Sequence, residues 1–327
     1  MAKRGKSGVL RFVAVALLLL LIAGGLVLHG WYGAGPAAKP LTVQVAEGSS
    51  LAGAARALER AGAIRSARAF LRDAKLFGSK EPIHAGEYEI APGTSAADVL
   101  LLLQSGKTLQ RLVTIPEGMP SILVHEKLLA TPLLTGGVQT PAEGTVLPDS
   151  YAYVRGESRA AVLARMQAAM AKELARLWAG RKPTTVVTSP QQAVILASVV
   201  EKETGVPGER PMVAAVFSNR LRQHMPLQAD PTVIYPVTKG KPLGRRILKS
   251  ELEADNGYNT YVRAGLPIGP IANPGRASIA AVLNPANSRA LYFVADGKGG
   301  HVFADTLAQH DANVKRWYAI RHARGEM

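Results

Sequence analysis

The chain has 327 residues, of which 47% are hydrophobic and 19% charged, so it can bury a sizeable core and is not a disordered tail. It contains no cysteine, which excludes disulfide scaffolds, cysteine-ligated zinc, iron–sulfur clusters and thiol nucleophiles. Its 39 Lys and Arg residues against 24 Asp and Glu give a net charge of +15, but they form no nucleic-acid-binding motif. We therefore expect anionic lipid or an anionic wall polymer nearby, and no nucleic acid.

The N-terminus combines basic residues with a long uncharged apolar run. The basic residues are Lys3, Arg4, Lys6 and Arg11. The apolar run covers residues 12–28, and Trp31 and Tyr32 follow it. A helix of this length, slightly extended, crosses a hydrocarbon core of roughly 30 Å, with its basic flank in the cytoplasm and its aromatic pair at the far interface. A cleaved signal peptide is the alternative, although the run is long for one. The pattern favours a basic tail at 1–11 and a single transmembrane helix at 12–32, with the remainder exported.

Residues 33–40 predict a short linker, and strand–turn–helix patterns follow it. The first has a strand at 43–45 and a helix capped by Ser49 or Ser50. The second has a strand at 88–90 and a helix that begins with a capping box of Ser95 and Asp98. A third strand is predicted at 113–115. Pairing strand 43–45 with strand 88–90 around the intervening helix predicts a compact α/β module at 41–108, of the size of a glycan-binding LysM-type domain.

From about residue 140 the pattern changes to a proline- and aromatic-rich loop at 143–154 and two long helices. The first helix is predicted from about Arg159 to Trp178. The second has Ser189 as its cap, Pro190 at its first position and Gln192 as capping-box partner, and it ends at Gly205. Every residue at 193–200 is apolar or small, so we expect this helix to be buried on all sides.

Two glutamates occupy the last turn of that second helix. Glu203 continues an apolar stripe through Leu196 and Val199, whereas Glu201 points nearly opposite. The helix dipole and burial both oppose ionisation of a carboxyl there, which raises its pKa and suits a general acid working near neutral pH. The alternative is that both glutamates pair with nearby basic side chains. Those candidates are Lys202, Arg210 and Arg220.

Polar and aromatic side chains crowd into the predicted loops that follow. These loops lie at 219–220, 227–235, 258–261, 265–275 and 292–301. Amides and hydroxyls can bond sugar hydroxyls, and aromatic faces can stack on sugar rings, but the same residues also suit turns. The seven histidines show no ligand spacing, and the chain has no P-loop, GxGxxG or GxSxG motif. We expect no metal and no cofactor.

Taken in order, several segments resemble the MltG (YceG-like) family of endolytic murein transglycosylases. The segments are TIPEG (114–118), EGTVLPDSY (143–151), ASVVEKET (197–204), NRL (219–221), LQADPTVIY (227–235), YNTY (258–261), GLPIGPIANPG (265–275) and YFVADGKGGHVF (292–303). One departure is Ile268, where the family pattern leads us to expect proline. The resemblance implies an α+β chain: a single N-terminal transmembrane helix, a small LysM-like α/β module at 41–108, and a larger mixed α/β YceG-like catalytic domain at 109–327 with its core at about 140–327.

The resemblance also implies the chemistry and its location. The implied protein is a lyase that cuts peptidoglycan between N-acetylmuramic acid and N-acetylglucosamine. It lies in the cytoplasmic (inner) membrane with its N-terminus in the cytoplasm. The cut leaves 1,6-anhydro ends and limits or terminates the elongation of nascent strands. Glu203 matches the catalytic glutamate of the family. The residues expected to hold sugar are Asn219, Gln228, Asp230, Tyr235, Tyr258, Asn259 and Tyr261. Peptidoglycan synthases and division proteins are the implied protein partners.

Two other interpretations remain open at this stage. A muramidase-type hydrolase would use Glu203, a second carboxylate such as Asp230, and a water molecule. A non-catalytic chain would serve as a membrane-anchored glycan-binding or division scaffold.

Overall fold

The computed structural model describes residues 4–325, with side chains from residue 10 onwards, so the predicted basic residue Lys3 lies outside the described residues. The fold is mixed α/β and divides into an N-terminal unit that ends at Arg111 and a C-terminal unit that begins at Leu112. Each sheet within the described residues is two-stranded, and the pairs are β1–β2, β3–β4 and β5–β6.

Helix α1 spans Arg4–Tyr32 and contains the apolar segment predicted from the sequence. Its Leu10–Tyr32 segment has 23 residues, contains an 18-residue window with a mean hydropathy of 2.7, and is long and apolar enough to cross a membrane. Trp31 differs from the expectation of an interfacial aromatic pair, because only 2% of it is exposed and its ring lies 5.8 Å from that of Phe70. The end of α1 is therefore part of the core of the N-terminal unit.

The rest of the N-terminal unit contains β1 (Leu41–Val45), α2 (Leu51–Arg60), α3 (Ala67–Phe77), β2 (Gly86–Ile90) and α4 (Ala96–Ser105). Strands β1 and β2 are antiparallel, with Val43 opposite Tyr88, which confirms the predicted pairing. Ser50 and Ser95 each accept a backbone N–H and cap their helices. The connection between the strands holds two helices where the sequence predicted one, because Ser66 starts a second helix at Ala67.

The expected linker at 33–40 is held against this unit by backbone hydrogen bonds. The N–H of Gly35 donates to Gly93 O over 3.1 Å, and the N–H of Gly93 donates to Ala37 O over 2.9 Å. These bonds fix the chain immediately after α1.

The C-terminal unit is mainly helical, and its first strand begins at the boundary between the units. Its elements are β3 (Arg111–Thr114), α5 (Ser121–Ala130), β4 (Ser150–Tyr153), α6 (Arg159–Ala179), α7 (Pro190–Glu203), α8 (Arg210–Arg222), α9 (Asp230–Thr238), α10 (Lys249–Leu252), α11 (Arg276–Leu283), β5 (Tyr292–Ala295), β6 (His301–Ala304) and α12 (Leu307–Ala323). Helices α6 and α7 confirm the two long helices predicted from the sequence.

Helix α7 is the centre of this unit and packs against α8 and α11. Between residues 193 and 200 every residue is buried except Ile195, which is partly exposed, so the prediction of a helix buried on most of its surface is confirmed. Ser189 caps the helix by accepting the N–H of Gln192. The predicted return bond of the capping box is absent there, because the Gln192 side chain accepts from Thr188 instead. The helix ends at Glu203, with Thr204 rather than Gly205 as the cap.

Several segments predicted as loops belong to regular elements. Residues 219–220 lie within α8 and residues 230–235 within α9, where Pro231 is tolerated because it occupies the first turn. Residues 150–153 form β4, which pairs with β3. Residues 292–304 form the β5–β6 hairpin, whose turn contains Gly297 and Gly299 at positive φ.

Candidate active site

The two glutamates at the end of α7 have opposite environments. Glu201 is 4% exposed in its side chain and accepts from Arg210 Nη2 over 3.1 Å and from the N–H of Gly275 over 2.8 Å. Arg210 also donates to Glu117 over 3.0 Å. Glu201 thus ties α7 to α8 and to the segment before α11, and the ion-pair alternative is correct for this glutamate.

Glu203 has no such partner. Its Oε1 is buried and makes no hydrogen bond to any residue between 4 and 325, although the residue as a whole is partly exposed. Burial raises the pKa of Glu203 to about 8; the negative charge of Asp230 adds to the rise and the positive charge of Arg220 opposes it. A carboxyl with this pKa is protonated in roughly nine molecules of ten at pH 7. The site therefore holds a neutral acid with a free oxygen.

Two charged side chains on neighbouring elements, Asp230 and Arg220, shift the pKa of Glu203. Asp230 begins α9, is exposed, and accepts a 2.5 Å hydrogen bond from the Tyr261 hydroxyl. Burial and this carboxylate both raise the pKa of Tyr261, which therefore stays a neutral donor. Gln228 precedes them in the left-handed region at φ +51°, and its N–H donates to Thr260 O over 3.0 Å. The 227–230 segment and the 260–261 segment are held together in this way.

Arg220 is a site residue that the sequence suggested only as an ion-pair partner. It is 8% exposed, and its Nη1 donates to Gln228 Oε1 over 3.2 Å and to Leu227 O over 3.0 Å. Its guanidinium carbon lies 5.2 Å from the centre of the Tyr292 ring. These contacts fix a positive charge near Glu203 without neutralising it. The available signal was its place in the NRL segment, beside the predicted Asn219.

A further carboxyl, the partly exposed Glu143, was also missed, although it lies in the EGTVLPDSY segment. Its Oε1 accepts from the N–H of Ser121 over 2.9 Å, and its Oε2 accepts from the Tyr235 hydroxyl over 3.2 Å. Burial raises its pKa. Gly144 follows at φ +77°, and a Cβ there would lie 2.7 Å from Val194, so only glycine fits the turn that presents Glu143.

The predicted sugar-binding tyrosines Tyr235 and Tyr258 lie side by side, with ring centres 5.0 Å apart. Tyr235 also lines a cavity of about 330 Å³. The walls of this cavity include Lys202 and Pro231, the chain neighbours of Glu203 and Asp230. The cavity therefore lies one residue away from the acid along the chain, and its wall includes an aromatic ring of the kind that sugar rings contact.

Asn219 and Asn259 are placed differently from the other five predicted sugar-binding residues. Asn219 donates from Nδ2 to the carbonyls of Ser288 and Ala290. Asn259 is 1% exposed and donates to three carbonyls, those of Glu251, Leu252 and Ala254. In the structure these two amides order loops, and the sugar-binding role of all seven residues stays a prediction. No cluster of His, Asp or Glu suited to a metal ion occurs in the described part of the chain.

A family model described as the YceG-like family matches residues 43–316. The chain belongs to the YceG-like family. It is similar to a Bacillus subtilis protein named endolytic murein transglycosylase, with 27% identity over 92% of this chain and 92% of that protein. A Streptococcus pneumoniae protein of the same name is 30% identical, over 84% of this chain and 58% of its own length.

A crystal structure of a yceG-like protein from Listeria monocytogenes supports the family fold. It has 27% sequence identity and a TM-score of 0.51, covering 84% of this chain and 98% of that chain. Within this YceG-like chain, the unexpected Ile268 has a simple structural account. Its N–H donates to Gly257 O over 3.1 Å, a bond that proline could not form, and its side chain is exposed.

Proposed function

We propose that this chain is an endolytic peptidoglycan lytic transglycosylase, a lyase that cleaves between N-acetylmuramic acid and N-acetylglucosamine and leaves 1,6-anhydro ends. The observation that carries the proposal is the neutral carboxyl of Glu203 at the end of a buried helix, whose buried Oε1 has no hydrogen-bond partner in the described part of the chain. Membership of the YceG-like family and similarity to relatives named endolytic murein transglycosylase support the substrate and the reaction type.

In the first step Glu203 acts as a general acid. Its proton passes to the glycosidic oxygen while the bond from that oxygen to C1 of the muramic sugar breaks, so the N-acetylglucosamine side leaves as an alcohol. An oxocarbenium-like centre develops at C1, assisted by the N-acetyl group of the same sugar. The negative charge of Asp230 favours this developing positive charge.

In the second step the Glu203 carboxylate takes the proton of the C6 hydroxyl as that oxygen bonds to C1. The ring closes to the 1,6-anhydro sugar, Glu203 is protonated again, and no water is consumed. Arg220 stabilises the carboxylate between the two steps. A single carboxyl with a pKa of about 8 can serve both steps, so a second catalytic carboxyl is not needed.

The muramidase-type alternative would use Asp230 to activate a water, and product mass separates the two reactions. Purified glycan strands are digested with the wild type, Glu203→Gln, Asp230→Asn and the exposed control Glu253→Gln, and the fragments are weighed. The lyase gives ends one water lighter than reducing ends, Glu203→Gln abolishes cleavage while remaining folded, and Asp230→Asn still yields anhydro ends. Reducing ends from the wild type would establish the hydrolase, and an inert wild type would favour a scaffold.

We propose further that α1 anchors the chain in the cytoplasmic membrane with its N-terminus in the cytoplasm, supported by its basic flank and apolar length. The absence of cysteine allows a direct test. A single cysteine replacing the exposed Lys298 should react with an impermeant maleimide in right-side-out vesicles, and in inverted vesicles it should react only after they are opened.

We also propose that residues 41–108 act as a LysM-like glycan-binding module and that residues 109–327 act as the catalytic domain. The antiparallel β1–β2 pair and the small helical core support the module. Peptidoglycan synthases and division proteins are the protein partners that the family resemblance implies.

A further inference from the structure

Helix α3 of the N-terminal unit carries one stripe of exposed positive charge. The stripe is formed by Arg65, Arg68, Arg72 and Lys75, spaced three or four residues apart along one side of the helix and the residues just before it. The opposite side buries Phe70 and Ala74 in the core. The one acidic residue of the helix, Asp73, is buried and bonded to Arg72 over 2.7 Å, so the exposed side has no acidic residue of its own.

This helix is fixed beside the end of α1. The rings of Trp31 and Phe70 lie 5.8 Å apart, and those of Tyr32 and Phe77 lie 6.4 Å apart. A cavity of about 330 Å³ opens between the two helices. Its walls include Leu26, Val27 and Gly30 of α1, together with Arg65, Ser66, Arg72 and the carboxylate of Asp73, which is paired with Arg72.

The position of this cavity along α1 sets its depth in a membrane. A hydrocarbon core of about 30 Å takes roughly 20 helical residues, and the uncharged run ends near Trp31. The cavity wall begins at Leu26, so the cavity lies where hydrocarbon gives way to headgroups. Leu76 and Phe77, which are 64% and 41% exposed, add apolar surface at the end of α3. Basic side chains beside exposed apolar ones are the combination that binds a charged membrane surface.

We propose that the α3 stripe binds anionic phospholipid headgroups on the outer face of the membrane, with a headgroup phosphate in the cavity between α1 and α3. The inference rests on the proposed anchoring of α1 in the membrane, but not on the proposed catalysis. It makes the N-terminal unit a surface-bound element rather than one that hangs freely from its anchor.

The test uses the full chain in lipid nanodiscs with and without phosphatidylglycerol. Because the chain has no cysteine, a fluorophore can be attached at Leu76→Cys, with Gln44→Cys on the exposed side of β1 as the control position. Lipids that carry a quencher in the headgroup should quench the Leu76 label, more strongly when phosphatidylglycerol is present, and should leave the Gln44 label unchanged. A third label at Leu20→Cys reports whether α1 lies in the membrane. An α1 that does not insert is thereby distinguished from an α3 stripe that does not bind headgroups.

Charge variants then test the stripe. Each neutralised basic residue should lower the ratio of membrane-bound to unbound N-terminal unit about fivefold, and three together should lower it roughly 100-fold. The test variant is Arg65→Gln/Arg68→Gln/Lys75→Gln, and the matched control is Lys39→Gln/Lys80→Gln/Lys107→Gln, which removes three exposed charges elsewhere in the same unit. Equal quenching in the two variants would overturn the proposal. So would a Leu76 signal that responds to a soluble polyanion but not to phosphatidylglycerol.

Discussion

Replacing Glu203 by glutamine should abolish cleavage and at the same time stabilise the folded protein. The unfolded chain ionises this carboxyl near its ordinary pKa of 4.5, whereas the folded chain ionises it only near pH 8. Between these values the folded state holds more protons, so each rise of one pH unit lowers the stability of the wild type by about 1.4 kcal/mol. The stabilising effect of the bound proton is complete below pH 4.5 and is lost as the pH rises through 8.

Glutamine stays neutral in both states and escapes this loss. The Glu203→Gln variant should therefore match the wild type near pH 4.5 and exceed its free energy of unfolding by about 3 kcal/mol at pH 7. Urea unfolding of the full chain in detergent, repeated from pH 4.5 to 8, measures the difference and its slope. A variant with the same stability as the wild type across this range would show that the fold does not hold the carboxyl neutral.

Glu201→Gln is the matched control, because it makes the same chemical change two residues earlier on the same helix. It removes the negative charge of the Glu201–Arg210 pair, in which the Glu201 side chain is 4% exposed and the Arg210 side chain is 10% exposed. Breaking a buried pair in this way leaves the other charge uncompensated, and the expected loss at pH 7 is about 3 kcal/mol, partly offset by the remaining bond from Arg210 to Glu117. Opposite signs for the two variants at pH 7 are the expected result.

Three further predictions concern the same region. The cleavage rate should fall about tenfold per pH unit above pH 8, where Glu203 loses its proton, as a pH–rate profile would show. Asp230→Asn removes a charge that raises the pKa of Glu203, so this alkaline fall should move to lower pH; an unmoved profile would mean that the two groups are not coupled. Tyr235→Phe keeps the ring beside Tyr258 but deletes the hydrogen bond to Glu143, which should lower the free energy of unfolding by about 1 kcal/mol, measured by urea titration.

Local signals in the sequence were sufficient to locate the long helices and the key acid. Ser158 and Ser189 cap α6 and α7 as serines before apolar periodic segments are expected to do. The helical stripe that runs from Leu196 to Glu203 is by itself sufficient to predict a carboxyl that continues an apolar side of α7. These features depend on neighbours within one or two helical turns, which is the range over which sequence periodicity carries information.

The rest of the site depends on contacts between segments far apart in the chain. Arg220 of α8 contacts Gln228, which precedes α9, and Tyr292 of β5, and Glu143 meets Tyr235 across 92 positions. A proline also accounts for one difference in local structure. The sequence predicts a loop at 227–235, whereas Pro231 occupies the first turn of a helix that begins at Asp230. The residue types of Asn219 and Asn259 suit sugar, but only the fold shows that their amides bond to backbone carbonyls.

The two glutamates of α7 show how one helix end can both hold the fold together and carry reactive chemistry. At 100° per residue, positions 201 and 203 point about 200° apart, so one can face Arg210 and Gly275 while the other faces an apolar environment. Glu201 uses its charge to fix the segments around it, whereas the Oε1 of Glu203 is buried with no hydrogen-bond partner among the described residues. A free carboxyl with a pKa near 8 destabilises the protein, and the same property makes it able to give a proton to a glycosidic oxygen and take one from a hydroxyl. The destabilisation predicted at Glu203 and the chemistry proposed for it therefore have one physical origin.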